Sequence, residues 1–228
     1  AGKESNTNGK YCIKGTYNHL DFDEVIDEIN RNAFNGNGCP NPSDPLFLNF
    51  RIKTNKTAIY KQMYNKLNKE FREKLLPLEY LDDGHLSKQN NITNIPLAKL
   101  RNKVIICVDD KNKNYVGSDL EKIISISNKG ADGRGMPFVA YYKDREIIQT
   151  YDTDSLKERN TSQIAISMPD FRNKVYNSSS AIHHAMGVQI VSMNFNVLDT
   201  NMKTYLNFFN SNGSAFVLKP KHLRFKKN

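Results

Sequence analysis

Apolar positions along the chain change period repeatedly, from strand-like runs to helical stripes and back. Tyr11 to Gly15 (YCIKG) reads as a short buried strand closed by glycine. Behind Asp21, whose carboxylate suits a first-turn cap, Phe22, Val25, Ile26, Ile29 and Phe34 recur at helical spacing. The loop NGNGCPNPSDP ends that helix, and Leu46 to Ile52 (LFLNFRI) predicts the next strand. Ile59, Met63, Leu67, Phe71 and Leu75 then step by four along a longer helix from about Thr57 to Leu75, the spacing of a core stripe. After a loop around Asp82, Asp83 and Gly84, polar sequence runs to Pro96. Lys103 to Val108 (KVIICV) is apolar almost throughout, as in a strand covered on both faces of a parallel sheet. Further strands are expected at Ile123 to Ser127, Phe138 to Tyr142, Gln163 to Ser167 and Val188 to Phe195. Helices are expected near Ser155 and from about Thr200 to Phe208. The alternation predicts an α/β architecture with a mainly parallel sheet, without internal repeats and without linker composition in the middle.

Composition narrows the classes. No apolar run approaches the ~18 residues of a membrane-spanning helix. The opening AGKESNTNGK lacks the apolar core of a signal peptide and is expected to be a flexible segment, 1–10. It begins with Ala rather than Met, which fits a processed chain or a piece of a longer polypeptide. Thirty-three Lys and Arg against 24 Asp and Glu give a net charge of +9 over 228 residues. Such a balance favours phosphate-rich partners, whether nucleic acid or an anionic membrane surface, without choosing between them. The cations are dispersed, however, and are densest in the tail Lys219, Lys221, Arg224, Lys226 and Lys227. No specific nucleic-acid motif is present. Cys12, Cys39 and Cys107 form no CxxC pair, so neither a zinc site nor a disulfide framework is indicated, and an intracellular, reducing compartment is expected. About one residue in eight is Asn, which reads as the bias of an AT-rich coding genome such as that of a large DNA virus. The Asn-x-Ser/Thr sequences at Asn55, Asn91, Asn160, Asn177 and Asn212 are then expected by chance.

One stretch carries a specific pattern: GVQIVSMNFNVLDTNMKTYLNFFNSNGSAFVLKPKHLRF, Gly187 to Phe225. Its Gly187, Gln189, Val191, Asn194, Phe195, Asn212, Gly213, Leu218, Lys219, Pro220 and Arg224 hold the spacing of the Y box of the eukaryotic phosphoinositide-specific phospholipase C family, which the chain resembles. Asp44 to Leu76, Ile95 to Val108 and Asp119 to Asn128 resemble further strands and the long helix of that family's X and Y halves. Tyr11 to Phe34 resembles its segment with a histidine strand. The resemblance implies a TIM-like (β/α)₈ barrel of the phosphodiesterase type, forming a single domain over 11–228 with an X-like part at 11–108 and a Y-like part at 119–225. The family's first two strands, with a first catalytic histidine and acidic calcium ligands, have no counterpart here. The barrel is therefore expected to be incomplete within this chain and to need another polypeptide or an N-terminal segment as partner.

The resemblance also implies where a site would lie, and each position is altered. A glutamate calcium ligand is replaced by Arg51, which repels the ion it would have to hold. The second histidine falls on Lys14, with His19 nearby in a loop. The headgroup-binding lysines fall on Cys107 and Asp109, and the arginine and tyrosine that contact inositol phosphates fall on Ala165 and Ser167. Two arrangements are then open: an Arg51–Asp109 salt bridge across the former mouth, or an anion pocket of Lys14 and Arg51. His183-His184 lacks a third ligand at metal spacing, and Gly130 to Gly135 (GADGRG) is neither a Walker loop nor a dinucleotide fingerprint. The expected function is that of a catalytically inactive phospholipase C-like barrel, serving as a structural or interaction module, conceivably in a virion, without metal or cofactor. The alternatives are an active calcium-dependent phosphodiesterase completed by an N-terminal half, and a non-catalytic module for anionic lipid headgroups on a membrane surface.

Overall fold

The structure is a computed structural model describing residues 2–4, 10–13, 19–76, 81–82, 85–86, 95–108, 114–127, 139–170 and 175–225. Contacts along the chain gather into two units, Ala1–Met136 and Pro137–Asn228, so the division falls inside the expected Y-like part. No helix among the described residues is long and apolar enough to cross a membrane.

Unit 1 opens with an antiparallel meander of β1 (Gly2–Glu4), β2 (Lys10–Ile13) and β3 (His19–Asp21). Gly2–Glu4, expected to be flexible, thus pairs with Tyr11–Ile13, and His19, expected in a loop, begins a strand. Helix α1 (Phe22–Ala33) starts where the Asp21 carboxylate accepts the Asp23 N–H at 3.0 Å, the cap its sequence announced. Then come β4 (Leu46–Phe50), α2 (Thr57–Phe71), a small hairpin of β5 (Leu81–Asp82) and β6 (His85–Leu86), β7 (Val104–Val108) and β8 (Ile126–Ser127). Strands β4, β7 and β8 form a parallel sheet in that order, with Leu46 opposite Val104 and Asn49 opposite Cys107.

Alternation divides this sheet into two faces. Leu46, Leu48 and Phe50 of β4, with Val104, Ile106 and Val108 of β7, meet Ile26 of α1 and Tyr60, Met63, Leu67 and Phe71 of α2 in one apolar cluster. The step-by-four stripe of α2 is therefore what covers the sheet. Lys66 of α2 bridges to Asp27 of α1 and to Glu70, 3.2 Å away, fastening the two helices at the edge of that cluster. Helix α2 ends at Phe71 rather than Leu75, because Leu75 bridges to Val104 and the Lys74 carbonyl accepts the Val104 N–H at 2.7 Å. The strand expected over Ile123 to Ser127 shortens to Ile126–Ser127, and Asp119–Ile123 is a 3₁₀ turn. There Glu121 accepts the Gly117 N–H at 2.7 Å, and these local polar bonds compete with a ladder.

Unit 2 contains β9 (Val139–Lys143), α3 (Asp144–Ile148), α4 (Thr153–Ser162), β10 (Ile164–Met168), α5 (Ser180–Ala185), β11 (Ile190–Val191) and α6 (Thr200–Asn212). Its parallel sheet has β10 in the middle. Helices α3 and α5 are too short to show a period in sequence. The Val188 to Phe195 strand shrinks to two residues, since the Asn194 N–H leaves the ladder for the Asn177 side-chain oxygen at 2.6 Å. Both units are α/β with parallel strands, as the alternation predicted.

Leu67 is fully buried in the unit 1 cluster. Leu67→Ala is expected to lower the free energy of unfolding by about 2–5 kcal/mol in urea titrations followed by circular dichroism. Exposed Lys69→Ala should stay within about 0.5 kcal/mol.

Candidate functional site

The C-terminal ends of the parallel strands are where a fold of this class builds its site. In unit 1, Cys107 has the β7 parity opposite to the helix-packed residues, beside Asn49 of β4. It is 1% exposed, and burial pushes its thiol up to about 12. A thiol held neutral is neither a nucleophile nor a metal ligand at ordinary pH. Arg51 follows the end of β4 and is exposed. Its planar guanidinium stays charged and has no lone pair for a metal, so the position can attract an anion but not calcium. Lys14 and Asp109 lie outside the described residues, and with them both the Lys14–Arg51 pocket and the Arg51–Asp109 salt bridge. The Gly130 to Gly135 loop lies outside them too.

In unit 2, Ala165 is fully buried in a cluster with Ile147 of α3, Leu156 of α4, Val188 and Val191. That is the helix-covered face of β10. Ser167 shares its parity and is also fully buried, and its hydroxyl has no hydrogen-bond partner among the described residues. The opposite face of β10 carries Ile164, Ile166 and Met168. One residue of register decides which set would face a ligand. Neither set contains a group able to replace an arginine and a tyrosine in gripping phosphates.

Several residues of the Gly187 to Phe225 pattern hydrogen-bond to the protein's own backbone. Gly187 turns the chain out of α5 at φ +74°, a conformation that favours glycine, with the Asn160 side chain packed close beside it. The Gln189 amide donates to the carbonyls of Asn160 and Gln163, both at 2.9 Å, and accepts the Ala165 N–H at 2.8 Å. Lys219 Nζ donates to the carbonyls of Asn160 at 3.0 Å and Gly187 at 2.6 Å, and burial pulls its pKa down to about 8. Arg224 Nε donates to the Lys219 carbonyl at 2.5 Å. Asn194 Nδ2 reaches the Tyr176 carbonyl, while Asn177 Nδ2 reaches those of Asn194 and Val197. Asp199 caps α6 through the Met202 N–H and also accepts the Asn177 N–H, and these bonds hold its carboxyl below the usual range. Gly213, at φ +58°, closes the same helix. Asn160 and Asn177, both in Asn-x-Ser/Thr sequences, are buried and committed to this network.

A second polar group was not legible in sequence. Asp144, directly after β9, is buried, accepts the Ser178 hydroxyl at 2.8 Å and stands 3.5 Å from His183 Nε2. Desolvation lowers the His183 pKa against the opposing pull of Asp144. His184 is not its companion as a ligand, for its ring packs on Phe208 at 5.0 Å and Phe209 at 6.2 Å. Among the described residues no three His, Cys, Asp or Glu side chains are placed to hold a metal.

No family model matches the sequence, and no curated protein matches it either. Among solved structures, the chain is similar to the crystal structure of L. pealei PLC21, with a TM-score of 0.74 and 18% identity over 94% of this chain. At that identity the likeness is one of fold. The chain spans 31% of that protein's length.

Two outcomes follow from the network. Gln189→Leu leaves the buried Ala165 N–H without its acceptor and is expected to cost about 1–3 kcal/mol in chemical denaturation. Lys219 releases its proton near pH 8 in the folded chain and near 10.5 in an ordinary environment. Unfolding therefore takes up a proton between those values, and the contribution of Lys219 to stability, least below pH 8, rises with pH across the window. The difference in unfolding free energy between wild type and Lys219→Met should grow over that range, and a flat difference would show that the amine is solvated.

Proposed function

We propose that this chain is a non-catalytic phospholipase C-like module that works by binding other macromolecules, its strands contributing to a (β/α)₈ barrel completed by a further segment or chain. One observation carries the reading: the residues that bear the family spacing spend their hydrogen bonds on the protein's own backbone, while the positions where chemistry is expected bear side chains that cannot perform it. Gln189, Lys219, Arg224 and Asn194 are all engaged internally. Cys107 is a buried neutral thiol, and Arg51 opposes a divalent cation. Acid–base cleavage of a phosphodiester needs a proton acceptor within reach of the attacking hydroxyl and charge stabilisation at the phosphate. Cys107, Ala165 and Ser167 provide neither. The fold likeness to PLC21 supports the architecture and leaves the activity open.

The test is hydrolysis of phosphatidylinositol 4,5-bisphosphate in mixed micelles, with and without millimolar calcium. Release of inositol phosphate is expected to stay at the buffer rate, and Arg51→Glu is expected not to raise it. Calcium-dependent turnover by the wild-type chain would overturn the reading and restore calcium as its cofactor.

A further inference from the structure

The N-terminal end of the β4–β7 sheet, opposite the end where Arg51 emerges, gathers cations from two segments. Arg72 and Lys74 follow α2, and Lys99, Arg101 and Lys103 lead into β7. The Leu75–Val104 bridge and the Lys74 carbonyl's bond to Val104 hold these segments side by side. Three of the five cations are held in place. Lys74 Nζ stands 4.8 Å over the Phe34 ring, Arg101 Nη2 donates to Ser43 Oγ at 3.1 Å, and Lys103 Nζ reaches the Glu73 carbonyl at 3.5 Å. Arg72 and Lys99 are exposed. The carboxylates on these segments and on the Ser43 turn are Glu73 and Asp44, and Asp44 already accepts from Asn41 at 2.8 Å. Among the described residues none of the five cations makes an ion pair.

We propose that this end of unit 1 docks an acidic, carboxylate-rich polypeptide segment. The proposal rests on the reading above in that it takes binding to be the chain's work, and it names the partner's chemistry. Cations already fixed by a ring, a hydroxyl and a carbonyl lose little freedom when a ligand arrives. Arg72 and Arg101 offer planar forks that match carboxylates in a bidentate manner. A lipid surface is the poorer fit, because among the described residues Leu97 is the one large apolar side chain exposed beside these cations, whereas interfacial binding draws on buried apolar area as well as charge. Single-stranded nucleic acid is poorer too, because among the described residues no exposed aromatic side chain stands beside them for bases to stack on.

The experiment uses the full chain and three probes: a fluorescein-labelled deca-glutamate peptide, phosphatidylserine/phosphatidylcholine vesicles and a labelled single-stranded oligonucleotide. Two charge-reversal variants carry equal changes in net charge, Arg72→Glu/Lys99→Glu/Arg101→Glu at the patch and Lys53→Glu/Lys61→Glu/Lys203→Glu elsewhere. A neutral set, Arg72→Gln/Lys99→Gln/Arg101→Gln, serves if reversal disturbs folding. The peptide is expected to bind wild type, to lose about tenfold or more in affinity with either patch variant, and to change by about twofold or less with the control. Equal losses in patch and control variants, no binding of the peptide, or tighter binding of vesicles or oligonucleotide would each overturn the proposal. Failure here without lipid hydrolysis leaves the non-catalytic reading standing, and calcium-dependent hydrolysis removes that reading whatever the peptide does.

Discussion

Unit 2 depends on the exit from α5, where Gly187 takes a positive φ and the chain turns into β11. The carbonyls of Asn160, Gln163 and Gly187 gather at this point, and the Gln189 amide and the Lys219 ammonium donate to them. Because Asn160 belongs to α4, Ala165 to β10, Gln189 to the entry of β11 and Lys219 to the C-terminal segment, one polar knot fixes four parts of the chain that the apolar cluster alone would leave free to slide. Buried polar groups of this kind are costly unless every partner is present, which makes them specific. Gly187, Gln189 and Lys219 of the C-terminal pattern all take part in that knot.

The same distinction applies to the strand ends. Parallel strands covered by helices turn alternate residues toward the helices and away from them, and a ligand meets only the second set. Cys107 is in the second set of β7, whereas Ala165 and Ser167 are in the first set of β10, Ala165 packed with Ile147 and Leu156. On either face of β10 the side chains, Ile166 and Met168 or Ala165 and Ser167, are poorly suited to binding phosphate. Charge, by contrast, is left at the surface, where Arg51 stands at one end of the unit 1 sheet and five cations gather at the other.

The polar cluster of Asp144, Ser178 and His183 shows a different balance. A carboxylate at the end of β9 is buried with a hydroxyl as its donor, and the nearby imidazole is held toward its neutral form by desolvation. The pair ties the start of α3 to the start of α5 through groups that are adjacent in space and far apart in sequence. The cluster belongs to the interior of unit 2, and its three residues carry no period that a sequence pattern could report.

The sequence by itself determined the alternation of strands and helices, the α2 stripe and the Asp21 cap, because these follow from side-chain period and local hydrogen bonding. It also determined the residue types at the candidate site: an arginine cannot become a calcium ligand in any fold. Only the tertiary structure decided which face of β10 holds Ala165 and Ser167, since a single residue of register inverts it. The Lys74–Val104 bond stops α2 short, and the Asn177 side chain draws Asn194 out of its strand; both depend on partners at least 17 residues away. The roles of Gln189 and Lys219 were hidden for the same reason, because a donor's purpose is set by the carbonyls that folding brings to it, and those carbonyls come from segments with no local relation to it.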